Sequence, residues 1–322
     1  MKTALIIPLY NKARYVQASL ASVLAQTHRV DELWIIDDHS DDGSVAVVED
    51  YLSQCPLPLP TQTRVQRLDQ NLGPGAVKNL ALDQCDSELV MFLDADDCLA
   101  PEYLGYAQQL MGQHQLSLMI SQVTFLPQRL TRPDPLLWRD QLQPLAPGAY
   151  RLNQPLLTVT EPEFILGVGN NVVAQRHYLQ QVRFAEQVRL NENVDFWFRV
   201  LKQHHTKADF SVGLNCTYPL QVQEVPGSLS RQVYSSWQQV EYPVLFSRYQ
   251  HSDDPYERRL MRKFLTLWAE HALQRLPDDE QKHQFVQAYT PLYQRFSVPW
   301  PAITQGKHDD HSHHSATART SL

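Results

Sequence analysis

The sequence predicts an α/β protein with a parallel sheet covered by helices on both faces. Two observations carry that expectation. Short apolar runs alternate with stretches of helical spacing through the first hundred or so residues. The runs are also near-continuously apolar rather than alternating, as strands buried on both faces require.

The elements follow in order. "ALIIPLY" (4–10) is a short apolar run that reads as a buried strand. Val16, Leu20, Val23 and Leu24 then fall at helical spacing, with Asn11 as an expected cap. "ELWIIDD" (32–38) is a second strand. After the turn at Gly43, Val45, Val48 and Leu52 resume helical spacing, and "TRVQRL" (63–68) is a weaker third strand. "NLGPGAVKNLAL" (71–82) is a Gly/Pro turn entering a helix, and "SELVMFLDADD" (87–97) is the fourth strand. Pro101 suits the first turn of the helix that follows. "LSLMISQVTFL" (116–126) reads as another strand.

The texture then changes. Seven prolines between Pro127 and Pro162 punctuate what reads as an irregular, functional stretch. In "LNENVDFWFRVLKQ" the residues Val194, Trp197, Phe198 and Leu201 return to helical spacing. From about 230 to 293 the pattern is helical, with Leu260, Phe264, Leu267, Trp268 and Leu273 on one stripe. This gives an α/β domain over 1–220, a helical C-terminal region over 221–300 and a disordered His-rich tail over 301–322.

Bulk properties exclude several functions. A net charge of −7 argues against a nucleic-acid partner. The four cysteines have no metal-site spacing and read as reduced thiols of a cytosolic protein. The N-terminus lacks the apolar core of a signal peptide, and no run approaches the ~20 apolar residues of a membrane span. The expected location is cytoplasmic, with peripheral membrane association compatible.

In open α/β sheets ligands bind outside the carboxyl ends of the strands. Pro8–Asn11, Asp37–Ser40 and Asp94–Asp97 all lie at such ends and are expected to share one crevice. Asp94-x-Asp96 suits a hard divalent cation bridged to a diphosphate, because Mg²⁺ and Mn²⁺ take a few carboxylates plus phosphate oxygens. A solvated acidic turn is the competing reading. Asp37 and Asp38 sit before a tight turn and offer acceptors to a base or ribose, while Lys78 is placed to reach a phosphate. Gly167-x-Gly169 is followed by Asn170-Asn171 and fails the dinucleotide pattern, so it is read as backbone approaching an acceptor. Trp138, Trp197, Trp237 and Trp268 read as core or groove packing rather than sugar platforms, with Trp197 the first exception to consider by its neighbourhood.

Together "ALIIPLYNKARYVQASLASVLAQT", "ELWIIDDHSDDGS", "NLGPGAVKNLAL", "LVMFLDADDCLAPEYL" and, more loosely, "NENVDFWFRV" resemble the inverting family-2 glycosyltransferases of the GT-A fold. The resemblance implies a Rossmann-like domain with a mixed, mostly parallel sheet that binds a nucleotide-diphosphate sugar donor and a saccharide or lipid-linked acceptor. It implies Mn²⁺ or Mg²⁺ as cofactor and work in polysaccharide or glycolipid assembly at the inner face of a bacterial membrane. Position by position, it implies that Pro8, Tyr10 and Asn11 line the nucleotide pocket and that Asp38 contacts the base. Asp94 would face the ribose and Asp96 the metal. Lys78 stands where the family has arginine, which keeps the charge and loses the bidentate fork. The family's Glu-Asp pair reads Glu192-Asn193 here, and an asparagine amide takes no proton. Three readings follow: Glu192 is the base, which is preferred; Asp195 is the base in a shifted register; or the site has no base and the chain is a catalytically impaired nucleotide-sugar-binding protein. A purely structural role for Glu192 and Asp195, as first-turn carboxylates of a helix, competes with the first two.

Overall fold

The structure is a computed structural model that describes residues 1–188, 190–225 and 233–301. The chain forms two compact units, one of residues 1–159 and 163–225, the other of residues 160–162 and the chain beyond 225. The boundary expected after residue 220 falls inside a strand that runs on to Gln223. The expected tail lies, apart from Pro301, outside the described residues.

The first unit is built on β1 (Thr3–Leu9), α1 (Val16–Leu24), β2 (Glu32–Asp37), α2 (Ser44–Gln54), β3 (Gln62–Arg67), α3 (Pro74–Gln84), β4 (Leu89–Phe92), α4 (Tyr103–His114) and β5 (Leu118–Leu126). Then come β6 (Leu130–Arg132), β7 (Leu142–Ala146), β8 (Ala149–Leu152), α5 (Pro155–Val159), β9 (Val172–Gln175), α6 (Glu192–His204) and β10 (Val212–Gln223). One mixed sheet runs in the order β3-β2-β1-β4-β9-β5-β10-β8-β7, with β6 on β5. β1 pairs in parallel with both β2 and β4, so it is central, and all its residues but Pro8 are buried. That is why its sequence is continuously apolar. β3, an edge strand, alternates exposed and half-buried positions instead.

β9 is the exception in direction. It runs antiparallel between β4 and β5, with Met91 opposite Val173 and Met119 opposite Val173 on the other side. β10 returns parallel to β5. The proline-rich stretch is not irregular throughout: it supplies β6 and the β7–β8 hairpin, turned at Gly148 in the left-handed region (φ 69°). Pro144 is accommodated because β7 is an outermost strand, where a missing N–H costs no ladder bond.

Two capping expectations change. No side chain caps α1, whose leading residue is Tyr15 rather than Asn11. Pro101 lies outside α4, whose leading residue is Glu102.

The second unit is helical: α7 (Val244–Tyr249), α8 (Pro255–Arg275) and α9 (Asp279–Phe296). Asp254 and Asp278 cap α8 and α9, accepting from backbone amides of the first turn. The predicted stripe is buried at Leu260, Phe264, Trp268 and Leu273 and half-buried at Leu267. Trp268 packs edge-on against Phe246 at 5.2 Å and tilted against Phe285 at 4.8 Å. Arg259 of α8 binds the Thr160 hydroxyl and the Glu161 carboxylate, which explains why that short segment belongs to this unit. No helix among the described residues is long and apolar enough to cross a membrane.

Candidate functional site

The register of the parallel strands aligns their ends. Leu9 pairs with Asp37, and Ile6 with Phe92, so the segments after β1, β2 and β4 leave the sheet on one rim. β1 and β4 diverge there, because β2 and β3 lie to one side of β1 and β4 to the other. This is the switch point at which open α/β sheets bind ligands.

The first two segments are laced together. Asn11, in the left-handed region (φ 50°), donates its N–H to Ser40 Oγ at 2.9 Å and accepts the Asp41 N–H on Oδ1 at 3.0 Å. The Lys12 N–H goes to Ser44 Oγ at 2.8 Å. Pro8 is half-buried at the strand end, and Tyr10 projects from the rim, 49% exposed.

Asp38 is committed to its own fold. It is buried, its Oδ1 accepts the Leu72 N–H at 2.6 Å, and its Oδ2 accepts the Gly73 N–H at 2.8 Å. Its carbonyl accepts Asn71 Nδ2 at 3.0 Å. The carboxylate therefore shapes the turn that launches α3. Asp37 is fully buried beside it: Oδ2 accepts the Ser40 N–H at 3.0 Å with Arg67 at 3.5 Å, and Oδ1 has no partner.

β4 ends in Asp94-Ala95-Asp96-Asp97, a tight turn closed by the Asp97 N–H on the Asp94 carbonyl at 3.0 Å. Burial pushes the Asp94 carboxyl up to about 6, with Lys78 opposing and the Asp96 and Glu192 charges adding to the rise. Asp96 is ion-paired with Lys12. Asp97 is buried and anchors the end of β10 by accepting the Gln223 N–H at 3.0 Å. Burial, then the charges of Asp94 and Asp96, push its carboxyl well above the usual carboxylate range. Three carboxylates in one turn with a single paired lysine leave the turn short of positive charge. Among the described residues no group of three or more His, Cys, Asp or Glu side chains is placed to hold a metal ion by itself.

Facing this turn are α3 and α6. Gly75 lets the first turn of α3 press on the backbone at Ala185, whose carbonyl oxygen would lie 2.1 Å from an added Cβ. Asn79 locks the contact, donating to the Phe184 carbonyl at 3.1 Å and accepting its N–H at 2.9 Å. This brings Lys78, 1% exposed, to the start of α6. Its ammonium donates to Glu192 Oε1 at 3.0 Å and to Asn193 Oδ1 at 2.6 Å. Of the two candidate bases, Glu192 thus belongs to the cluster around Asp94. Asp195 is fully buried and ion-paired with Arg199 one turn along α6 at 2.8 Å. Trp197 is also fully buried, packed edge-on against Phe92 and Phe196. It is core, not a sugar platform.

Three contacts were not singled out in the sequence. Lys12 follows the Pro8–Asn11 motif directly and pairs with Asp96. Asn193 holds Lys78. Asn170, fully buried with φ 62°, donates Nδ2 to Asp94 Oδ1. The last is a matter of register, since continuing the β4–β9 ladder brings Asn170 opposite Asp94. The glycines before it serve close packing: a Cβ on Gly169 would lie 2.5 Å from Asp97 Oδ2, and one on Gly167 3.1 Å from Asn193.

Residues 4–156 match the family described as Glycosyl transferase family 2. The chain is 32% identical over 123 residues to the poly(ribitol-phosphate) beta-N-acetylglucosaminyltransferase TarS of Staphylococcus aureus, a match covering 37% of this chain and 20% of that protein. It is 29% identical over 147 residues to the putative teichuronic acid biosynthesis glycosyltransferase TuaG of Bacillus subtilis, covering 44% of this chain and 56% of that one. These matches span well under two thirds of either relative. Among solved structures, residues 1–349 of TarS in complex with UDP-GlcNAc superpose with a TM-score of 0.58 at 20% identity, covering 92% of this chain and 73% of that one. The Pyrobaculum calidifontis mannosyltransferase PcManGT with GDP-Man and Mn²⁺ gives 0.52 at 14% identity, covering 92% and 70%. The strand ends, the acidic turn and these matches together make residues 4–156 a family-2 glycosyltransferase domain, carried on a sheet of the GT-A fold.

Proposed function

We propose that the protein is a metal-dependent inverting glycosyltransferase that moves a sugar from a nucleotide-diphosphate donor to an acceptor hydroxyl in polysaccharide or glycolipid assembly. One observation carries the reading: Asp94, Asp96, Lys12, Lys78 and Glu192, drawn from four separate elements, form one charge cluster at the rim of the sheet. The relatives named for cell-wall polymer synthesis support the choice of product class, and the neighbour solved with UDP-GlcNAc supports the donor class.

The acidic turn fits a divalent cation. Two carboxylates in one turn, both partly accessible and with the Asp96 charge adding to the rise at Asp94, match what Mg²⁺ or Mn²⁺ uses when substrate phosphates complete the ligand set. Asp96, with Asp94 beside it, would hold the ion, which when bound offsets charge on the departing diphosphate. The remaining steps belong to this chain. Tyr10 and Asn11 border the nucleotide, and Asp38 holds the turn that positions α3. Lys12 and Lys78 bring positive charge to the phosphates. Glu192 takes the proton of the acceptor hydroxyl. The acceptor oxygen then bonds to the anomeric carbon as the bond to the diphosphate oxygen breaks on the opposite face, inverting that carbon.

Titration calorimetry of UDP and of GDP with Mn²⁺ tests the donor reading. Wild type is expected to bind one of them and Asp96→Ala to lose most of the metal-dependent affinity. Equal affinity in both proteins refutes the metal role. Asn193 favours a second reading, a nucleotide-sugar-binding protein without turnover. Tight binding with no transfer across a broad acceptor panel selects it.

A further inference from the structure

Lys78 is spoken for. It is buried, and its ammonium bonds both Glu192 and Asn193. A lysine tied to two acceptors on α6 is not poised on a phosphate, and a carboxylate paired to an ammonium is not poised on a hydroxyl. The two proposed roles, Lys78 on the diphosphate and Glu192 as base, exclude each other in this arrangement.

We infer that Lys78 is handed from Glu192 and Asn193 to the donor's diphosphate, and that Asn193 is the positioning residue that parks it. This deepens the donor reading above and rests on it. Three features support the exchange. Lysine carries a compact charge on a flexible four-carbon stem, so it can swing where the rigid fork of arginine would be fixed. The destination is near in the fold: Asn193 lies against Gly167, 3.1 Å from where a Cβ on that glycine would be, and Asn170, three residues on from Gly167, donates to Asp94 in the acidic turn. The parking group is neutral: with Glu192 and Asp94 already present, a carboxylate at 193 would add a third negative charge around one ammonium. Asn193 accepts one hydrogen bond and adds none.

The exchange is balanced. Lys78 keeps its proton throughout, giving up its hydrogen bonds to Glu192 Oε1 and Asn193 Oδ1 and forming bonds to phosphate oxygens. The Glu192 carboxylate is released as the donor arrives, and accepts the acceptor's proton only then. The base is therefore uncovered by the donor, which prescribes donor-first binding.

The test is calorimetry with UDP, GDP and the free nucleosides in the presence of Mn²⁺, on wild type, Asn193→Ala and Glu192→Gln. Gln keeps the shape and one acceptor of Glu192. A hydrogen bond to a charged group that must break on binding weakens affinity in the free protein. Asn193→Ala removes such a bond and Glu192→Gln removes the charge of the ion pair, and each is expected to tighten diphosphate binding about tenfold. Both variants should show the gain for the diphosphate and none for the nucleoside. The gain should vanish when Lys78→Met is added. A merely structural tie predicts the opposite: lower thermal stability with diphosphate affinity within twofold of wild type, or weaker. That result overturns the handover while the donor reading stands. Absence of diphosphate binding by wild type overturns both.

Discussion

Gly75→Ala is the sharpest test of how the site is held. The new Cβ would lie 2.1 Å from the Ala185 carbonyl oxygen, 3.1 Å from its carbon and 3.3 Å from Phe184 Cβ, whereas ordinary contact begins near 3.4 Å. The nearest atom is backbone, so no side chain can swing aside. The first turn of α3 must withdraw by more than an ångström. Overpacking of this kind costs about 1–3 kcal/mol. The withdrawal also strains the two Asn79–Phe184 hydrogen bonds, each worth about 1 kcal/mol. A loss near 3 kcal/mol lowers the melting point of a unit this size by roughly 6–12 °C. Lys78, one turn along α3, is displaced with it, and nucleotide-diphosphate affinity should fall. Gly112→Ala is the control. It lies in α4 with Met1 Cε at 3.7 Å as the nearest neighbour, and should stabilise by about 0.5–1 kcal/mol by removing helix-interior glycine. Calorimetric melting of both variants reads the difference. A Gly75→Ala protein that melts and binds like wild type refutes the clamp.

Other outcomes follow from the same geometry. Asp94, raised to about 6 against an unfolded carboxyl near 3.9, holds a proton in the fold that the unfolded chain has released. Its contribution, roughly 3 kcal/mol, is therefore present below about pH 4 and lost as pH rises to 6. Cation and diphosphate binding, which needs the carboxylate, should rise through the same window, and Asp94→Asn should flatten that rise in a calorimetric pH series. In a transfer assay Glu192→Gln should lose at least about 10²-fold in rate. Asp195→Asn should transfer at a rate near wild type while losing stability, because its carboxylate serves Arg199. Asp38→Ala strips the acceptor from two backbone amides and should cost about 2–3 kcal/mol in urea unfolding. An unchanged midpoint would contradict its role in the turn.

The sheet was legible where burial is two-sided. β1, β2 and β4 are continuously apolar because they are central, and their acidic ends follow from chain direction. β9 and β10 escaped notice. β9 has only four residues, and β10 contains Pro219 and a register break between Asn215 and Leu220 that erases any period of two. At the site, residue types were readable and pairings were not. Nothing local to Asn193 announces Lys78 as its partner, since the two are 115 positions apart and meet only through the Gly75 contact. Asp38 was readable as an acceptor at a strand end, but its hold on the amides of Leu72 and Gly73, 34 and 35 positions away, was not.

The reversed direction of β9 has a consequence for how such a molecule can diversify. A strand entering against the grain delivers its amino end, not its carboxyl end, to the working edge. Asn170 and the two glycines ahead of it arrive there on the segment that leads into the strand. Insertions between α5 and Gly167 would remodel that side while leaving the ladder of β1, β2 and β4 untouched, so one half of the crevice can be rewritten independently of the other.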